Sequence, residues 1–143
     1  MSSTYTELNA LLTKKTTENK NLNLQMNKAI NDLETMLTSK IGTKVTLQST
    51  CNIEKTSKQT KDYGQVIKTP AAKQHFNISI KLETKDIQLK EELSITSTEN
   101  ETVVSFKQKK FLLYPLDQNN HSFIQFHDDV ITSCKDEIKN IPL

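Results

Sequence analysis

The side chains with the most chemical capacity gather near the C-terminus: His121, His127, Asp128 and Asp129, followed by Cys134. Imidazoles and carboxylates are metal-ligand types, but neither a His-x-x-x-His nor a Cys-x-x-Cys pair accompanies them. Acids at 128 and 129 also suit the early turns of a helix, where they meet its positive end. Cys134 with His75 or His127 has the residue types of a thiol nucleophile and its base, yet its position on an apolar helical stripe reads as a small buried hydrophobe. Lys107, Lys109 and Lys110 interleave with Phe106 and Phe111, as in a basic-aromatic strand that binds nucleic acid. The same alternation describes a strand with one wet face and one core face. These patterns lead us to expect no catalytic, cofactor-binding or metal-binding residue, and no enzyme.

Composition points the same way. The 143-residue chain has room for one modest core, or a smaller core with a helical extension. It holds only two glycines, which disfavours phosphate-cradling loops. All 19 basic residues are Lys, and a net charge of +2 is too small to imply a polyanionic partner. Without Arg the usual bidentate donor to phosphate and guanine is missing, so nucleic acid is not expected as a partner. Cys51 and Cys134 form no disulfide framework. Ser2, Ser3 and Thr4 open a segment without a signal-peptide core, and no stretch approaches the roughly 20 apolar residues of a membrane span. The expectation is a soluble, intracellular protein in a reducing compartment, nuclear or cytoplasmic if the source is eukaryotic, with no membrane contact.

The strongest pattern concerns assembly. Tyr5, Leu8, Leu12, Lys15, Asn19, Leu22, Met26, Ala29, Leu33 and Met36 alternate at spacings of three and four. That is a heptad spine, as helices that supercoil about a partner require. Lys15 and Asn19 are its polar members, and Asn at such a core position fixes register at some loss of stability. Thr4 and Glu7 supply a capping-box start, and Gly42 after Ile41 a stop. Leu11, Ile30 and Leu37 lie beside the spine, so the stripe widens towards Gly42, where the helix would meet its own head.

The remainder reads as an α+β head at 42–143 behind a coiled-coil helix at 1–41. Val45, Leu47, Ser49, Cys51 and Ile53 alternate as a half-buried strand, and Phe76, Ile78, Ile80 and Leu82 do so more cleanly. Ile87, Leu89, Leu93 and Ile95 suggest a third strand; a turn over Thr98–Glu101 leads into a fourth, from Thr102 to Tyr114. The result is an antiparallel meander of about four strands, closed by a helix from Ser122 that carries Phe123, Phe126 or His127, Val130, Cys134, Ile138 and Ile141 at helical spacing. The predicted core combines Val45, Leu47, Phe76, Ile78, Ile80, Leu82, Phe123, Val130 and Ile138. One sheet face would be covered by this closing helix and the other partly by the end of the first. Between the first two strands, 54–74 reads as a flexible Lys-rich insertion with Lys55, Lys58, Lys61, Lys68 and Lys73, punctuated by Tyr63, Gly64 and Pro70.

The stretch FLLYPLDQNNHSFIQFHDDVI, from Phe111 to Ile131, resembles the end of the RWD-like globular heads of coiled-coil kinetochore and monopolin-type subunits. Pro115, Leu116 and Asp117 match the turn of those heads, Ser122 the cap, and Phe126, Val130 and Ile131 the helix face. The order of elements is similar as well. The second Pro of the fuller pattern is replaced by Asn119, and the aromatic near the end of the closing helix is missing. The resemblance implies a non-enzymatic dimeric adaptor whose head docks other proteins, with a role in chromosome segregation.

The favoured expectation is therefore a homodimer, or a heterodimer with a similar partner, formed through the first helix. Ile30, Leu37, Lys55, Lys58 and Lys61 are the candidate partner-binding residues on the head. The alternative is a small viral or bacterial binding protein whose first helix folds over the sheet, holding a ligand or inhibiting a host protein.

Overall fold

The computed structural model describes residues 3–114 and 121–142. Helix α1 spans Ser3–Ile41, followed by strands β1 (Val45–Ser49), β2 (Glu54–Asp62), β3 (Gln65–Lys81), β4 (Asp86–Thr98), β5 (Thr102–Phe106) and β6 (Lys109–Tyr114), and by helix α2 (His121–Lys139). The class is α+β with a long first helix and a closing helix, as the patterning predicts, but the antiparallel sheet has six strands rather than about four.

Both extra strands come from tight hairpins. The insertion at 54–74 is not a loop: β2 pairs with the first half of β3 from Glu54↔Lys73 to Asp62↔Gln65. Tyr63 and Gly64 both have positive φ, as the two-residue type I′ turn requires. The predicted last strand is likewise two, folded at Lys107 and Gln108, whose φ values are 51° and 65°. Strand β3 is the spine of the sheet. Its first half carries β2 and its second half β1 on the same edge, while β4 runs along the other. The order continues through β5 to β6.

In every strand but β2, one phase is apolar. Phe76, Ile78 and Ile80 face the same side as their neighbours Leu93 and Ile87, and the layer continues through Ile95, Val104 and Phe111. Both helices pack on this side, α1 against β1, β3 and β4, and α2 against β4 and β6. A single core results. The expectation that the helices would take opposite faces is thus corrected: only one face of the sheet is hydrophobic enough to hold them. Leu82 and Ile138, expected in the core, lie at its margin with 37% and 43% of their surface exposed.

Helix α1 divides in two. Leu22, Met26, Ala29, Leu33 and Leu37 are buried on the sheet, whereas Ser3–Thr17 is exposed throughout. The buried stripe drifts from the heptad position Met36 to Leu37. A drift of that sense belongs to a straight helix on a sheet, not to a supercoil. Leu37 is wholly buried and Ile30 packs against the core. Leu37 is thus enclosed by the head, and Ile30 is partly buried against it. Packing therefore joins the second half of α1 to 42–143. Gly42, at φ 88°, ends the helix with its N–H 2.9 Å from the Thr38 carbonyl, the expected left-handed cap.

Candidate docking surfaces

Among the described residues, the side chains with chemical capacity do not converge. His127 Nδ1 lies 3.5 Å from the exposed Asp128 carboxylate, and Asp129 Oδ2 faces Lys109 Nζ at 3.2 Å. His75 lies on β3 in the phase opposite to Phe76, beside Glu92 at 3.7 Å. Among the described residues no three His, Cys, Asp or Glu side chains are grouped to hold a metal. The side chain of His121 and the turn at Pro115, Leu116 and Asp117, with Asn119, lie outside the described residues. Cys134 is buried on α2, and its burial pushes the thiol pKa up, with Glu137 adding to the effect. A thiol so placed is a poor nucleophile.

Phe106 and Phe111 are core residues. Phe106 meets Phe126 edge-on at 5.7 Å, and Phe111 packs against both Phe123 and Phe126. Their rings are not displayed for base stacking. Of the interleaved lysines, Lys107 lies 3.7 Å from Glu91 and Lys109 pairs with Asp129.

Among the described residues three exposed features adjoin one another. The first is the free arm of α1, about 22 Å long, where Tyr5, Leu8, Leu11 and Leu12 form one apolar stripe with more than 60% of each residue's surface in solvent. Lys15 is exposed and Asn19 half-buried, so the polar pair of the spine falls where the helix leaves the sheet. The oligomerisation positions thus split. Tyr5, Leu8 and Leu12 are open to a partner, while Leu22, Met26, Ala29 and Leu33 are occupied by the protein's own sheet and Met36 packs against that core.

The second feature is the β2–β3 ribbon. Pairing with β4 begins only at Ala71↔Thr98, so 57–70 extends beyond the sheet by roughly 20 Å. Tyr63, Val66 and Ile67 are exposed near its tip. Its base is tied to α1: Lys55 Nζ donates to the Asn23 side-chain oxygen and lies 3.5 Å from the Asn19 carbonyl. Partial burial there lowers the Lys55 pKa. Lys55 is therefore a brace, whereas Lys61 remains exposed on the ribbon. Gln25 anchors the same end of α1, donating to the Glu99 carbonyl at 3.0 Å and accepting from Ser97 at 3.3 Å.

The third is the face of the sheet turned away from the helices. A concavity of about 410 Å³ lies there, between the ribbon base and the β5–β6 hairpin. Lys58, Lys73 and Lys110 line it, and Ala71, Ser94, Thr96 and Ser105 provide small side chains below them. Lys58 forms an ion pair with Glu101. Sequence alternation predicts a wet face here, but the ribbon register that brings Lys58 beside it required the hairpin. Among the described residues no helix is long and apolar enough to cross a membrane. Comparison with protein-family models, curated proteins and solved structures gave no match.

Proposed function

We propose that the protein is a non-enzymatic dimeric adaptor, in which the free arm of α1 joins two chains and the α+β head docks another protein. The observation that carries this reading is the stripe of Tyr5, Leu8, Leu11 and Leu12 on the part of α1 that is exposed from Ser3 to Thr17. A solvated helix with Thr13, Thr16, Thr17 and Asn19 among its residues is marginal alone. Pairing of two such stripes, with Asn19 setting register, supplies the missing packing. The reading includes the RWD-like resemblance and, with it, a place in chromosome segregation.

Light scattering at roughly tens of micromolar tests it. Twice the 16.3 kDa chain mass is expected, with Leu8→Ser/Leu12→Ser returning the protein to a folded single chain. Asn19→Leu is expected to tighten the assembly and loosen its stoichiometry. A monomer for the unaltered chain overturns the reading and favours the alternative, a compact binding protein, which draws on α1 being folded over the sheet from Leu22 to Leu37.

A further inference from the structure

The bare sheet face shows what kind of partner segment the head would take. Its lining sets three ammonium groups, Lys58, Lys73 and Lys110, against one carboxylate, Glu101. Lys73 and Lys110 have no ion-pair partner among the described residues. Below them the side chains are short. Ala71 is buried beneath the groove although it lies on the helix-free side, and Ser94, Thr96 and Ser105 offer hydroxyls without bulk.

We infer that this groove is the docking site for an acidic, extended segment of a protein partner. Small side chains let a peptide backbone approach the sheet, and hydroxyls can donate to its carbonyl groups. Three separated ammoniums fit carboxylates spaced along a chain, whereas Lys, as a compact point charge, does not demand a planar bidentate ligand. Glu101 is the resident example of the ligand: its carboxylate already engages Lys58 at the rim. An incoming carboxylate would compete with it for that ammonium. The inference rests on the adaptor reading for its biological meaning, but capture by the head is measured separately from assembly by the arm.

The test is fluorescence anisotropy with a short labelled peptide of alternating Glu and Ser, at low and moderate salt, alongside amide chemical-shift mapping. Lys58→Gln/Lys73→Gln/Lys110→Gln should weaken capture about tenfold, the combined scale of three partly screened ion pairs. Lys14→Gln/Lys20→Gln/Lys40→Gln removes the same charge from exposed positions on α1 and should leave capture unchanged. Glu101→Gln should tighten it, and shifts should centre on Ser94, Thr96 and Ser105. Unchanged melting midpoints establish that each variant is folded. Equal loss in both triple variants, shifts centred elsewhere, no capture by the unaltered protein, or preference for a single-stranded oligonucleotide over the peptide each overturns the inference. None of these results alters the molar mass on which the dimer reading depends.

Discussion

Glu34 Oε1 accepts a hydrogen bond from Leu47 N at 2.8 Å, reaching from α1 to the outer side of β1. One helical turn later, Thr38 Oγ1 accepts from Val45 N at 3.0 Å. Strand β1 lies at the sheet edge, and these N–H groups point away from β3. Two side chains at i and i+4 on a helix have the spacing to fill them. The edge is thereby closed to pairing with another strand.

Removing both acceptors, with Glu34→Ala and Thr38→Val, is expected to destabilise the fold by about 1–3 kcal/mol, because two partly buried donors lose their partners. Glu34→Gln, which keeps an acceptor, should cost less. Urea unfolding checks the ranking, and an unchanged midpoint for the double variant would show that the edge is satisfied without these groups.

The two halves of α1 should respond differently to the same truncation. Leu33→Ala removes a wholly buried side chain and is expected to cost roughly 2–5 kcal/mol. Leu8→Ala, at an exposed position, should stay within about 0.5 kcal/mol in the dissociated chain. Denaturation at high dilution measures both, and comparable losses would mean that the arm packs on the head.

Phe126 touches Phe106, Phe111 and Phe123. Phe126→Ala should cost roughly 3–5 kcal/mol, as should Phe76→Ala in the centre of the sheet. Loss of the near-ultraviolet aromatic signal before far-ultraviolet change would mark release of α2; retention of full stability would contradict the packing.

Tyr63 occupies a left-handed conformation at φ 50°, which Asn tolerates better than Tyr. Tyr63→Asn is expected to steady the ribbon by about 1 kcal/mol, read as slower amide exchange over 55–73. Faster exchange would argue against the type I′ turn.

Cys134 gives a pH signature. Its folded pKa is raised by burial and Glu137, so the unfolded thiol ionises first as pH climbs. Its contribution to stability is present below the ordinary thiol pKa and is lost as pH rises from there through the raised value. Half-buried Cys51 should alkylate well before Cys134 in the native protein. Simultaneous labelling would place Cys134 outside the core.

The central strands were legible because Phe76, Ile78 and Ile80 alternate strictly with polar residues and only one face is buried. The ribbon was not, since Lys55 to Lys61 is exposed on both faces and burial imposes no period on it; Tyr63-Gly64 was its sole turn signal. The β5–β6 turn had even less to show. Lys107 and Gln108 adopt positive φ without a glycine, so Thr102 to Tyr114 read as one strand. The heptad spine reads as an apolar stripe, but a 3.5-residue and a 3.6-residue period differ too little over Leu22 to Met36 to distinguish a sheet from a partner helix. The lysine-lined groove depends on the Lys58↔Thr69 register and has no local sequence signal.

Because α1 runs unbroken from Ser3 to Ile41, the compass bearing of the exposed Leu8–Leu12 stripe is locked to that of the buried Leu22–Leu37 stripe. One residue inserted after Asn19 would turn the arm by about 100° relative to the sheet without disturbing a core contact. Inserting a whole heptad would lengthen the arm by about 10 Å and restore the bearing to within about 20°. The helix is thus a keyed shaft: the length of the Lys15–Asn21 segment, more than the identity of its side chains, dictates the direction in which a head attached to a second arm would point.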